Sequence, residues 1–376
     1  MTRHLRHQRT GSAAALMLAV CAGLCVARVQ AGMTPSQDAR PVMTVGTARA
    51  DRGHVATGHL NVEAGADAAT TIDVAVIHGA KPGKVVALVA GSHGTEYASI
   101  VALTRLVSKI DPQALTGTVI ILPLLNVASF EQMTVHLNPI DRKGMNGGYP
   151  GNASGTQTDR ALALVADQVV KPADVVVDLH GGDLDEDLRP YSYWTRTGNA
   201  ALDEAAKTLV LAFGLDHIIV RDIDTASSAS TRSLGGYALA QGKTTIIAEA
   251  GRSGLVLTED VDGLVRGCLN VLGSLEMIAR PVTPVARPVY ISAGDRVTAD
   301  KVGMFFATAK RDTVVKAGDV VGYTTDYLGT KTGDVRAPSA GLVTFIRGVP
   351  SMWKGATLVN ISAILPSPPP AYKRPG

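Results

Sequence analysis

Residues 85–96 read Val-Val-Ala-Leu-Val-Ala-Gly-Ser-His-Gly-Thr-Glu, and the fold class follows from them. Six apolar residues in an unbroken run, rich in β-branched Val, suit a strand covered on both faces. Gly91 and Ser92 turn the chain, and a helical pattern runs from Glu96 to Ile110. Strand, tight turn and helix form the opening of a crossover unit, which predicts a parallel sheet layered with helices. Ligands bind such sheets at the carboxyl ends of the strands, where His93 and Glu96 fall. Three residues apart across that corner, an imidazole and a carboxylate can meet at one point as a zinc half-site. Alone, the pair reads equally as a loop histidine and an acid favouring a helix N-terminus.

Two further strands end in the same way. Val175–Leu179 is apolar apart from Asp178 and runs into His180-Gly181-Gly182. His180 would add a third ligand. His93, Glu96 and His180 would then leave a fourth position for water, as catalytic rather than structural zinc sites do. Asp178 lies two residues back on the same strand face and would orient the His180 ring; it reads equally as a strand-end acid bonded to a nearby loop. Thr244–Gly251 carries Glu249 at the end of another apolar run. Beside a metal, that carboxylate could take a proton from water and hand it to a leaving amine. By itself it reads as a solvated strand-end acid.

Elsewhere, apolar runs at Ile72–Ile77, Val119–Leu125 and His217–Val220 alternate with helical patterns at Asp159–Val170, Ala200–Phe213, Ser233–Gln241 and Glu259–Ala279. Thr156–Asp159 reads as a helix cap. The expectation is a catalytic α/β domain over residues 32–279 with a mixed, largely parallel sheet covered by helices. Residues 280–284, Arg-Pro-Val-Thr-Pro, read as a linker. Residues 285–365 break into short strands between Gly- and Asp-bearing turns, a small C-terminal all-β domain. Its turns at Lys316–Asp319 and Pro338–Gly341 resemble those of barrel-sandwich carrier domains, without the Met-Lys or Asp-Lys tip that carriers modify. The domain is read as a wall or lid of the cleft. Residues 366–376 form a Pro-rich tail.

The amino-terminal segment has another character. Arg3, Arg6 and Arg9 precede an apolar run over residues 11–26, and Val29-Gln30-Ala31 suits a cleavage site. Residues 1–31 therefore read as a signal peptide, with an uncleaved anchor as the alternative. The expected location is exported, either periplasmic or secreted. Cleavage removes four of the 36 basic residues and none of the 33 acidic ones, turning a formal charge of +3 into about −1. No basic footprint for nucleic acid remains, and no later segment is apolar enough to span a bilayer. Only Cys268 is left among the three cysteines, read as a buried structural thiol. Any metal must then be held by His and carboxylate.

The ordered series of HxxE at 93–96, an Asn-Pro and Asn/Pro-Gly loop at 138–151, Asp178-Leu179-His180 and Glu249-Ala250-Gly251 resembles the succinylglutamate desuccinylase/aspartoacylase family, a branch of the zinc carboxypeptidase superfamily. The resemblance spans roughly residues 70–365 and implies a carboxypeptidase-like α/β domain joined to a small β domain. It implies zinc on His93, Glu96 and His180, and Glu249 as general base. In the loop, Asn146 and Tyr149-Pro150-Gly151 match the family, but Gly147 stands where the family has an Arg that helps hold a substrate carboxylate. Gly cannot supply that bidentate fork. Arg142, Asn146 and Tyr191 are the expected substrate contacts, with Arg189 and Arg252 as weaker candidates. Arg142 reads equally as a surface residue. The other histidines, His136 among them, are assigned no role.

The expected function is zinc-dependent hydrolysis of an amide bond, deacylating an N-acyl amino acid or related small amide. The alternatives are a carboxypeptidase acting on peptides or cell-wall material, and a catalytically silent ligand-binding protein. Expected partners are the small-molecule amide and zinc, with a homo-oligomer left open.

Overall fold

The computed structural model describes residues 38–367 together with 369 and 372; the segment read as a signal peptide lies outside the described residues. A nine-stranded sheet forms the centre. Across it the strands run Val289–Ile291, His217–Asp222, Tyr191–Arg196, Thr244–Glu249, Val175–His180, Lys81–Val89, Thr116–Leu122, Thr70–His78 and His54–Val62. Five of its eight ladders are parallel. This is the mixed, largely parallel sheet that the sequence predicts.

Side-chain alternation along the 85–90 run explains its unbroken apolar character. Val86, Leu88 and Ala90 join one core, with helices Tyr97–Leu106, Ala200–Phe213 and Thr258–Ser274. Val85, Ala87 and Val89 join the other, against helices Gln157–Val165 and Leu234–Ala240 and the hairpin Val42–Val45/Ala48–Asp51. Both faces of the sheet are thus covered, and burial of one such Leu or Val stabilises the fold by about 1.5–3 kcal/mol. Cys268 is fully buried in the first of these cores. The helix from Gln157 is held by a capping box between Thr156 and Asp159, as expected.

After residue 295 the chain forms two antiparallel sheets around a shared core that includes Phe305, Val321, Val343 and Val359. Two exchanges tie this part to the central sheet. Val289–Ile291, read from sequence as part of the C-terminal domain, pairs in parallel with His217–Asp222. Glu186–Leu188, from the loop after His180, pairs with Gly341–Arg347. No helix among the described residues is long and apolar enough to cross a membrane.

Candidate active site

Strand polarity gathers the chemistry at one sheet edge. Thr244–Glu249, Val175–His180 and Lys81–Val89 lie side by side and parallel, so all three end there. Register places Glu249 opposite His180, and Val89 opposite Asp178. Along the third strand the chain turns at Gly91, whose φ of 68° favours glycine. A Cβ there would also lie 2.9 Å from the Leu124 backbone.

His93, Glu96 and His180 converge so that one ligand atom from each lies within 4.8 Å of the others. His93 Nδ1 is 2.6 Å from Glu96 Oε1, and His180 Nδ1 is 2.9 Å from Glu96 Oε2. Glu96 begins its helix yet makes no side-chain capping bond. Its carboxylate serves the two histidines, which removes the plain helix-start reading. The far nitrogen of His180 lies 3.3 Å from Asp178 Oδ1, and Asp178 is buried. An imidazole fixed by a carboxylate through one nitrogen, with the other aimed at a shared point, is the arrangement of metal-ligating histidines. Two imidazole nitrogens and a carboxylate are a donor set suited to a divalent cation. Burial opposes the charge of Glu96, but His180 and His93 overcome it and hold the carboxyl down at about 2.

Glu249 faces the same space. Burial pushes its carboxyl up to about 7, with Glu96 adding to the rise and His180 opposing it. Tyr191 Oη donates to Glu249 Oε2 at 3.2 Å. Burial first, then the Glu249 charge, raises the Tyr191 phenol well above its usual range, so the hydroxyl keeps its proton.

These residues line a cavity of about 550 Å³. Asn146 also lines it, with Nδ2 3.5 Å from His180 Nε2. The C-terminal sheets close one side through Arg296, Phe345, Thr357 and Asn360. Of the three substrate contacts expected from sequence, Asn146 and Tyr191 are brought to the cavity and Arg142 is not. Asn138 and Asp141 explain this. Asn138 bonds the Gln157 and Thr158 side chains, and Asp141 accepts from the Thr158 backbone and hydroxyl. The loop is thereby pinned to a helix start, and Arg142 is left exposed at φ 57°. Arg189 is likewise elsewhere, paired with Asp216 and Asp312. Arg252 does not line the cavity.

Sequence reasoning missed Arg221, Arg296, Glu186 and His136, all of which line the cavity. The omission of His136 needs correcting, because its ring packs edge-on against His93 with centroids 5.1 Å apart. Gly147 sits at φ 127° with open space where a Cβ would stand. Its neighbour is Arg232, whose Nε donates to the Gly147 carbonyl. A triplet such as Thr-Arg-Ser offers no local cue to that contact.

The fold and the gathered groups suit a hydrolase whose donor set could hold a divalent cation. The sequence profile of the succinylglutamate desuccinylase/aspartoacylase catalytic domain matches residues 82–275, and the chain belongs to that family. A curated relative, the N-alpha-acetyl-L-2,4-diaminobutyric acid deacetylase of Halomonas elongata, is 25% identical over 292 residues, covering 76% of this chain and 84% of the relative. Among solved structures, the Rhodobacter sphaeroides succinylglutamate desuccinylase/aspartoacylase superposes with a TM-score of 0.75 at 22% identity, covering 87% of this chain and all of that one. The product-bound ectoine utilization protein EutE (DoeB) of Ruegeria pomeroyi gives 0.76 at 24%, covering 86% and 99%. These two likenesses show the shared fold.

Proposed function

We propose that the protein is a zinc-dependent amidohydrolase that deacylates an N-acyl amino acid or a related small amide. The observation that carries this reading is the convergence of His93, Glu96 and His180 with the Tyr191-bonded carboxylate of Glu249 on one cavity. Zinc held by His93, Glu96 and His180 would polarise the scissile carbonyl and acidify the attacking water. Glu249 takes the proton as attack proceeds and passes it to the departing nitrogen. The Tyr191 hydroxyl keeps one Glu249 oxygen in place, which leaves the other to face the reacting atoms. Asp178 Oδ1, 3.3 Å from His180 Nε2, would steady the ring with Nδ1 free to serve as a ligand. Arg221 and Arg296 supply positive charge on the cavity wall, where a substrate carboxylate would sit in place of the loop Arg that Gly147 lacks.

A cavity of this volume suits a small ligand, which favours a deacylase over a peptide-trimming carboxypeptidase. The Halomonas relative's action on an N-acetylated diamino acid supports the same direction. The test is amine release from a panel of N-acetyl and N-succinyl amino acids beside a panel of short peptides. Turnover confined to peptides would establish the carboxypeptidase alternative. Saturable binding of the N-acyl compounds with zinc present and no turnover would establish a ligand-binding protein.

We also propose export, on the strength of the basic, apolar and small-residue layout of residues 1–31. Amino-terminal sequencing of protein from its native host is expected to begin at or near Gly32. A chain that begins at Met1 would remove that reading.

A further inference from the structure

Beside the His93–Glu96–His180 group lies a second set of donors that shares no residue with it. His136, Asp185 and Glu186 each place one ligand atom within 4.8 Å of the others. Asp183, fully buried, fixes the histidine: its Oδ2 is 3.1 Å from His136 Nδ1 and 3.3 Å from the His136 backbone N–H. The Asp183 carboxylate is itself anchored, accepting from the Thr95 hydroxyl and the Leu184 N–H. With Nδ1 turned to the Asp183 carboxylate, a neutral ring that carries its proton there has its lone pair on Nε2.

That lone pair faces two carboxylate oxygens. His136 Nε2 is 3.8 Å from Asp185 Oδ1 and 3.8 Å from Glu186 Oε1. Each carboxylate has its other oxygen engaged: Asp185 Oδ2 by Arg347 at 2.7 Å, and Glu186 Oε2 by the Asp183 N–H at 3.2 Å. Asp185 is only 7% exposed, and its Oδ1 is buried without a hydrogen-bond partner. A separation of 3.8 Å is too long for a hydrogen bond. Two donors held tetrahedrally on one cation with bonds of roughly 2.0–2.2 Å stand about 3.3–3.6 Å apart, a few tenths of an ångström closer than these atoms. Three electron-rich atoms turned toward one another repel unless a proton or a cation lies among them.

We propose that the cleft holds a second divalent cation, bound by His136 Nε2, Asp185 Oδ1 and Glu186 Oε1. One imidazole nitrogen with two carboxylate oxygens suits a first-row ion such as Zn²⁺ or Mn²⁺. The Asp183–His136 contact is the outer-shell support that metal-bound histidines carry. Glu186 and His136 both line the cavity, so the ion would lie on the cavity wall next to His93. This inference stands on residues that the proposed hydrolytic site does not use.

Equilibrium dialysis of the full-length protein against Zn²⁺, followed by metal analysis, tests it. His136→Asn is the informative variant, because Asn tolerates the left-handed backbone seen at His136, φ 61°. Glu186→Gln keeps an acceptor for the Asp183 N–H and removes the charge. The wild type is expected to bind two equivalents, and each of these variants one. His180→Ala should also bind one, and the His136→Asn/His180→Ala pair none. A wild type that binds one equivalent, kept in His136→Asn and lost in His180→Ala, would overturn the second site and leave the hydrolytic reading intact. Loss of one equivalent in His136→Asn and Glu186→Gln, with none lost in His180→Ala, would uphold the second site and remove the zinc assignment from His180.

Discussion

Glu249→Gln is expected to retain the metal bound at His93, Glu96 and His180 while kcat falls by roughly 10²–10⁴-fold, the usual cost of losing a general acid–base group. The substitution keeps the side chain's size and an oxygen that can accept from the Tyr191 hydroxyl, but an amide takes no proton at neutral pH. Glu249 ends the strand Thr244–Glu249 and is paired through its backbone with His180, so the fold has no reason to change. KM should move less than kcat, because Arg221, Arg296 and Asn146 would still meet the substrate. Measuring metal content and kcat on the same preparation decides the matter. Loss of metal together with activity would make Glu249 a ligand or a structural residue. Full activity with metal retained would end the proposed mechanism.

His180→Ala should remove one zinc equivalent and, with it, detectable turnover. Two donors, His93 and Glu96, would remain, and a catalytic zinc site needs three protein ligands. The variant also removes the neighbour of Asp178, which is 1% exposed and whose Oδ1 makes no hydrogen bond and lies 3.3 Å from the His180 ring. Removing the ring leaves that buried oxygen facing a void, so the melting temperature should fall as well. His180→Ala/Asp178→Ala removes both groups and should recover part of that loss without restoring zinc. Unchanged zinc in His180→Ala would place the third ligand elsewhere.

Sequence patterns reveal the strands that are buried on both faces and the helices with clear ends. Ala200–Phe213 is found where its pattern places it, because Asn199 caps its start and Gly214 ends it at φ 99°. His93, Glu96, His180 and Glu249 are legible as candidates on two grounds: each follows or ends a parallel strand, and parallel strands share an edge, while their order along the chain resembles the family's motifs. The sequence pattern predicts no strand at Tyr191–Arg196. Its residues, Tyr-Ser-Tyr-Trp-Thr-Arg, show neither an aliphatic run nor strict alternation, and it enters the sheet antiparallel to Thr244–Glu249, outside the crossover rule. Arg221 and His136 are single polar residues whose neighbours come from distant segments, so local pattern says nothing of them. Arg142 went the other way, since its loop position suggested the cleft and the bonds of Asn138 and Asp141 turned it outward.

The pairing of Glu186–Leu188 with Gly341–Arg347 bears on the order in which a newly made molecule becomes competent. Glu186 lies opposite Arg347, about 160 residues later in the chain, and such distant pairings form late because a long loop must close first. A ribosome that has finished the central sheet has still to deliver the strand that steadies the segment just after His180. A partly synthesised chain would therefore carry its histidines and Glu249 with one wall of the cavity missing. The last tenth of the protein acts as the latch on that cavity, and deletions there should silence the molecule even though they remove none of the groups placed at the reacting atoms.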